Sequence, residues 1–174
     1  MTALDTPRRI LDAAADEFAE RGLAGARVDR IAELAVANKQ RIYAYFGSKD
    51  QLFDQVVQDR IEQLVDAVPF DAADLPGYAV RLWEFNVGHP SLVRLLLWHA
   101  LERPGEQLAH SVSSHARKVA ALQAVRHGSR DDDWPADRLL GQVLALVHGV
   151  TLAPGPDPEQ VRADLHRAVA RLVG

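Results

Sequence analysis

The chain has 174 residues, 48% of them hydrophobic and 25% charged, with a formal net charge of −4 and no cysteine. This composition suits a globular protein of one or two small domains. The missing cysteines exclude disulfides, thiolate metal sites and cysteine catalysis. No apolar run reaches the roughly 18 to 20 residues that a membrane span needs, and the N-terminus lacks a signal-peptide core. The expectation is a cytoplasmic protein with no membrane partner.

Period-two alternation is not sustained anywhere, whereas apolar residues recur at helical spacing throughout, which predicts an all-α fold. In the first helix Thr6 is the N-cap, Pro7 the first helical residue and Gly22 the stop, with Ile10, Leu11, Ala14 and Phe18 on one face. Val28, Ile31, Ala32 and Ala35 predict a second, short helix from near Arg27 to Ala35. Asn38 caps a third that turns Ile42 and Phe46 inward and ends at Gly47. Ser48 and Gln51 form a capping box for a fourth, with a stripe of Leu52, Phe53, Val56, Val57, Ile61, Leu64, Val65 and Val68 before Pro69.

After "FDAADLP" the helices become more apolar, so the expected division is an N-terminal domain over 4–64 and a C-terminal helical bundle over 65–174. Residues 76–87 form one helix. Residues 91–103 form another, apolar on most sides and therefore expected to be buried. Leu108, Val112, Val119 and Leu122 mark a further helix leading to the surface loop "HGSRDDDWP". Pro135 opens a helix bearing Leu139, Leu140, Val143, Leu144, Val147 and Val150. Asp157 and Pro158 open the last, with Val161, Leu165, Val169 and Leu172 as its stripe.

Residues 27–49 carry five Lys/Arg against two Asp/Glu, while residues 51–174 carry twelve against sixteen. The positive charge is therefore local, which favours a polyanionic partner for this segment alone. Two short helices joined by a tight turn and braced by a longer one are the parts of a helix-turn-helix. With Ile42 and Phe46 facing the core, Gln40 and Ala44 point away from it and Arg41 and Tyr43 flank them. Ala44 permits close approach to a major groove, and Lys39, Gln40 and Arg41 offer donors to base edges. Tyr43, Tyr45 and Lys49 suit phosphate oxygens, as does Arg27 at the start of the second helix, with Asn38 at the head of the third. Double-stranded DNA is the expected partner.

The run "VDRIAELAVANKQRIYAYFGSKDQLF" resembles the DNA-binding segment of the tetracycline-repressor (TetR) family, with Ile31, Ala32, Ala35, Ile42, Tyr43, Phe46, Ser48, Lys49 and Leu52 at the matching positions. "RRILDAAADEFAERG" resembles the family's first helix. Three positions depart from the pattern: Val36 stands for the usual turn glycine, Ala37 for valine and Ala26 for the threonine cap. The turn is accordingly expected to shift, or to take a conformation that a β-branched residue tolerates. The resemblance implies a homodimer on a pseudo-palindromic operator, usually a repressor, released by a small molecule in the C-terminal domain. It also implies a dimer interface on the last two helices, for which Leu140, Val143, Leu144, Val147, Leu165, Val169 and Leu172 are candidates, with Gly141 and Ala145 permitting close approach.

Tyr78, Trp83 and Phe85, with Trp98 and His99 from the next helix, are candidates for lining a ligand pocket, or else ordinary core aromatics. Arg94 is expected to reach solvent. The histidines show no metal-ligand spacing, "RDDDW" does not fit a calcium loop, and no nucleophile elbow or phosphate loop occurs, so neither metal, cofactor nor catalysis is implied. A DNA-binding dimer whose second domain takes no effector is the alternative.

Overall fold

The computed structural model describes residues 6–106, 109–125, 134–152 and 157–174, and the described residues are helices and connections without a strand. The helices are α1 Thr6–Gly25, α2 Val28–Leu34, α3 Lys39–Phe46, α4 Lys49–Ala67, α5 Leu75–Gly88, α6 Pro90–Glu102, α7 Ala109–Val125, α8 Ala136–Leu152 and α9 Pro158–Val173. No helix among the described residues is long and apolar enough to cross a membrane. The chain falls into two compact units, one from residues 1–63 and 89–110, the other from 64–88 and 111–174.

The first unit closes around the predicted stripes. Ile10, Ala14 and Phe18 of α1, Ile31 of α2, Ile42 and Phe46 of α3, and Leu52, Phe53, Val56 and Val57 of α4 are buried. Phe18 and Phe53 meet edge to face at 5.1 Å between ring centroids, an arrangement that aromatic quadrupoles favour. Two of the predicted caps in this unit form with local partners. Asn38 Oδ1 accepts the Arg41 N–H at 2.7 Å, and Ser48 Oγ accepts the Gln51 N–H at 3.1 Å. Gly47, at φ 79°, ends α3 in a conformation that suits glycine, and the Gln51 side chain fills the space where a Cβ would sit.

By its contacts helix α6 groups with the first unit, where it packs along α1. It is not buried on most sides: Leu92 and Leu95 are enclosed, whereas Leu97 and Leu101 are exposed, because only one face has a neighbour in this unit. The regular part of α1 does stop at Gly22, whose φ of 68° and ψ of 178° break the helix. There the Trp98 ring would lie 2.9 Å from any Cβ, so both backbone and space require glycine. The N–H groups after the break donate to Glu102, Leu23 at 2.6 Å and Ala24 at 3.1 Å. Arg94 reaches back to the Glu20 carbonyl at 3.1 Å rather than into solvent alone.

The α2–α3 turn corrects the expectation for Val36. Its φ is +50°, the left-handed region, so the valine has taken the glycine conformation instead of shifting the turn. The hydrogen bonds show why. The Ala37 N–H donates to the Ala32 carbonyl at 2.9 Å and the Val36 N–H to that of Glu33 at 3.2 Å. This pair is the Schellman closure of a helix C-terminus, which needs a left-handed residue at that position. A left-handed L-residue costs roughly 1–2 kcal/mol, and Val36 is 75% exposed, so truncation loses little packing. Val36→Gly is therefore expected to stabilise the DNA-free protein by about 1 kcal/mol, seen as a melting temperature higher by about 2–4 °C. An unchanged or lower value would mean that the turn is not under this constraint.

In the second unit, Tyr78, Leu82 and Trp83 of α5 pack with Leu139, Leu140, Val143 and Val147 of α8 and Leu165 and Val169 of α9. Asp157 caps α9 by accepting the Glu159 N–H at 3.0 Å. On α7 Leu122 is buried and Val119 packs against the same core, as expected, with Ser114 and Lys118 also turned inward, whereas Val112 lies exposed. Leu108 and most of "HGSRDDDWP" lie outside the described residues.

Candidate nucleic-acid interface

The interface is built on α3, whose eight residues are anchored by Ile42 and Phe46, 1% and 5% exposed. With those two held in the core, Lys39, Gln40, Arg41, Tyr43, Ala44 and Tyr45 all face outward. Tyr43 and Tyr45 are 40% and 46% exposed, so their hydroxyls stand clear of the fold. Asn38 is exposed too, but its carbonyl oxygen is committed to the Arg41 N–H, which sets the start of the helix.

The cations differ in what already holds them. Arg41 and Arg27 have no carboxylate partner among the described residues. Lys39 pairs with Asp29 of α2 at 3.0 Å, and this hydrogen bond and charge hold its ammonium pKa above the ordinary value. Lys49 donates to the Ala26 carbonyl at 3.3 Å, which leaves the other N–H bonds of its ammonium for an acceptor outside.

Glu17 was not singled out from the sequence, yet it seats α2. Arg27, the N-cap of α2, makes no side-chain capping bond, and Ala26 has no hydroxyl to offer. Glu17 of α1 takes that role: its carboxylate, 3% exposed, accepts the Arg27 N–H at 2.8 Å and the Arg30 guanidinium at 2.7 and 3.0 Å. Arg30 is thereby a brace for the motif. The available signal was an acid at position 17, one turn from Ala13 and Ala14 and beside Phe18, on the apolar face of the first helix.

The second unit holds three of the five candidates for a ligand pocket. Tyr78 and Trp83 are buried in its core and Phe85 packs against it, but Trp98 and His99 belong to the first unit. There Trp98 covers Gly22, and His99 stacks on Phe53 at 6.2 Å and 15°. Leu140, Val143, Val147, Leu165 and Val169 are at most 2% exposed within a single chain, and Leu144 and Leu172 are partly buried against the same core. The first five are thus enclosed within their own chain, while Leu144 and Leu172 keep part of their surface open. The outward stripe of α8 is Gly141, Ala145, His148, Gly149 and Leu152.

A short helix, a Schellman turn and a second short helix that offers cations, an amide and two phenols on a buried anchor define a helix-turn-helix DNA-binding protein. Residues 10–56 match the profile "Bacterial regulatory proteins, tetR family", and residues 74–174 match "Tetracyclin repressor-like, C-terminal domain". The HTH-type transcriptional repressor SCO4008 of Streptomyces coelicolor is 41% identical over 153 residues, covering 86% of this chain and 80% of that one. The HTH-type transcriptional repressor NicS of Pseudomonas putida is 34% identical over 128 residues, 69% of this chain and 56% of that one. Among solved structures, SCO4942 of Streptomyces coelicolor superposes with a TM-score of 0.82 at 36% identity, over 96% of this chain and 97% of that one. The chain belongs to the TetR family of DNA-binding transcriptional regulators, a family of regulators and not of enzymes.

Proposed function

We propose that the protein is a homodimeric repressor that binds a palindromic operator and is released by a small-molecule effector in its second unit. The observation that carries this reading is the outward face of α3, where Gln40, Arg41, Tyr43 and Tyr45 stand exposed around the small Ala44. Arg41 suits guanine O6 and N7, and Gln40 suits adenine. The tyrosines, Arg27, Lys39 and Lys49 suit phosphates, which set register and not sequence. Residues 4–64 supply DNA binding, and residues 65–174 supply sensing and dimerisation, apart from α6. The relatives named as transcriptional repressors support the direction of control.

A single short recognition helix makes few phosphate contacts, and pairing two copies doubles the footprint. For the dimer surface we assign the outward stripe of α8 in place of its enclosed leucines and valines. A Cβ at Gly141 or Gly149 would meet nothing within 4 Å, and Leu152 is 53% exposed, so a partner helix can come close. Selection of bound sequences from a random duplex pool is expected to yield an inverted repeat whose half-sites are about one helical turn apart. Ala145→Glu is expected to give a folded monomer in sedimentation and to weaken operator binding by at least about tenfold. A single asymmetric site, bound equally well by that variant, would overturn the dimer.

A further inference from the structure

The inward stripe of α7 holds the one inner group of the second unit that carries full charge among the described residues. Lys118 is half-buried, with buried Ser114 one turn before it and buried Leu122 one turn after. Its Nζ donates to the Tyr78 hydroxyl oxygen at 3.0 Å and lies 5.4 Å and 5.9 Å from the ring centroids of Tyr78 and Phe70. Those rings meet edge to face at 4.9 Å, and Tyr78 is 1% exposed, so the corner is fixed.

All these partners are neutral, and no carboxylate pairs with Lys118 among the described residues. Ring faces stabilise an ammonium by about 0.5–2 kcal/mol, and no opposite charge adds to that among the described residues. Two of its three N–H bonds remain for acceptors other than Tyr78. Among the described residues, other cations of this unit sit in surface pairs: Arg81 with Asp74, Arg162 with Glu84 and Arg167 with Asp164. Among the described residues, the buried polar ones of the unit are Asn86 and Ser114, neither of them acidic. A cationic ligand would find no counter-charge inside, while an anionic one would find Lys118.

We infer that Lys118, with Tyr78 and Phe70, forms an anion-recognising subsite, and that the effector is an organic acid with an apolar or aromatic body. Its carboxylate accepts from Lys118 Nζ and its body packs on Phe70. This rests on the reading of the second unit as the effector-binding part.

The test uses the full-length protein with anilinonaphthalene sulfonate, an anionic amphiphile whose fluorescence reports binding, with benzoate or benzamide as competitor and uncharged Nile red as control. The wild type is expected to bind the sulfonate saturably and to lose it to benzoate but not to benzamide. Lys118→Gln is expected to weaken that binding by about tenfold or more, the loss of one charge-assisted hydrogen bond, and to leave operator binding unchanged. Lys118→Arg should retain most of it. Should Lys118→Gln fail to fold by circular dichroism, Lys118→Met, which keeps the apolar stem, is read in its place. Absent saturable binding, equal binding by the charge-removed variant, or equal competition by benzamide would each overturn the subsite. Operator release by Nile red in Lys118→Gln would do the same while leaving the effector reading intact. Operator binding that no probe alters, despite saturable sulfonate binding, would sink the effector reading and leave the anion site standing.

Discussion

Arg41→Ala is expected to lower affinity for the selected operator by about 10- to 100-fold while leaving the melting temperature of the free protein unchanged. A bidentate arginine–guanine contact discriminates by about 1–3 kcal/mol, which converts to that range. Stability is spared because the guanidinium is exposed and has no partner within the described fold. The contrast is with Lys49→Ala. That change removes a phosphate donor, so it should weaken all duplexes alike and reduce the salt slope by about one. It also removes the bond to the Ala26 carbonyl, so a small loss of stability should accompany it. Fluorescence anisotropy with operator and scrambled duplexes across a salt series separates the two. Equal losses on both duplexes from Arg41→Ala would refute its role as a base reader.

Glu17→Ala is expected to be strongly destabilising for a polar substitution, by roughly 2–4 kcal/mol, with a fall in melting temperature on the order of 10 °C. One truncation uncaps the first turn of α2, leaves the Arg27 N–H without its acceptor, and strips Arg30 of the carboxylate that orders it. Hydrogen bonds to a buried charged group are worth about 1.5–3 kcal/mol. Operator affinity should fall as well, since α2 carries Arg27 and Asp29, the partner of Lys39. Restoring the turn with Val36→Gly should recover part of the stability, the two sites acting through different parts of α2.

The same carboxylate sets a pH dependence. Burial pushes the Glu17 pKa up, but the bonds from Arg30 and from the Arg27 N–H, with the charges of Arg30 and Arg21, outweigh it and hold the pKa below its ordinary value. A depressed acid stabilises the fold fully above its unfolded pKa, about 4.3, and this contribution is lost as pH falls through the folded value. Asp12 adds to the trend: burial raises its pKa, but the bonds and charges of Arg8 and Arg60 lower it further. Urea unfolding at neutral pH and near pH 4 should show wild type losing more stability than Glu17→Gln, which cannot titrate there. An identical loss in both would remove Glu17 from the account.

Sequence by itself determined what depends on near neighbours along the chain. Helical phase assigned Ile42 and Phe46 to the core, and with them the outward set of Gln40, Arg41, Tyr43 and Ala44, because a side chain's direction on a helix follows from its spacing alone. Asn38 and Asp157 were legible as caps for the same reason, each bonding an N–H two or three residues ahead. Tertiary structure decided everything in which the partner is distant. Glu17 seats α2 across 10 to 13 positions, and Glu102 caps the end of α1 across 79. Apolar content could not say whether α6 serves the first unit or the second, since burial is non-directional and any apolar face satisfies it. Nor could it separate the leucines of α8 that complete their own core from the glycine and alanine stripe left outside, a choice made by which side α5 and α9 occupy.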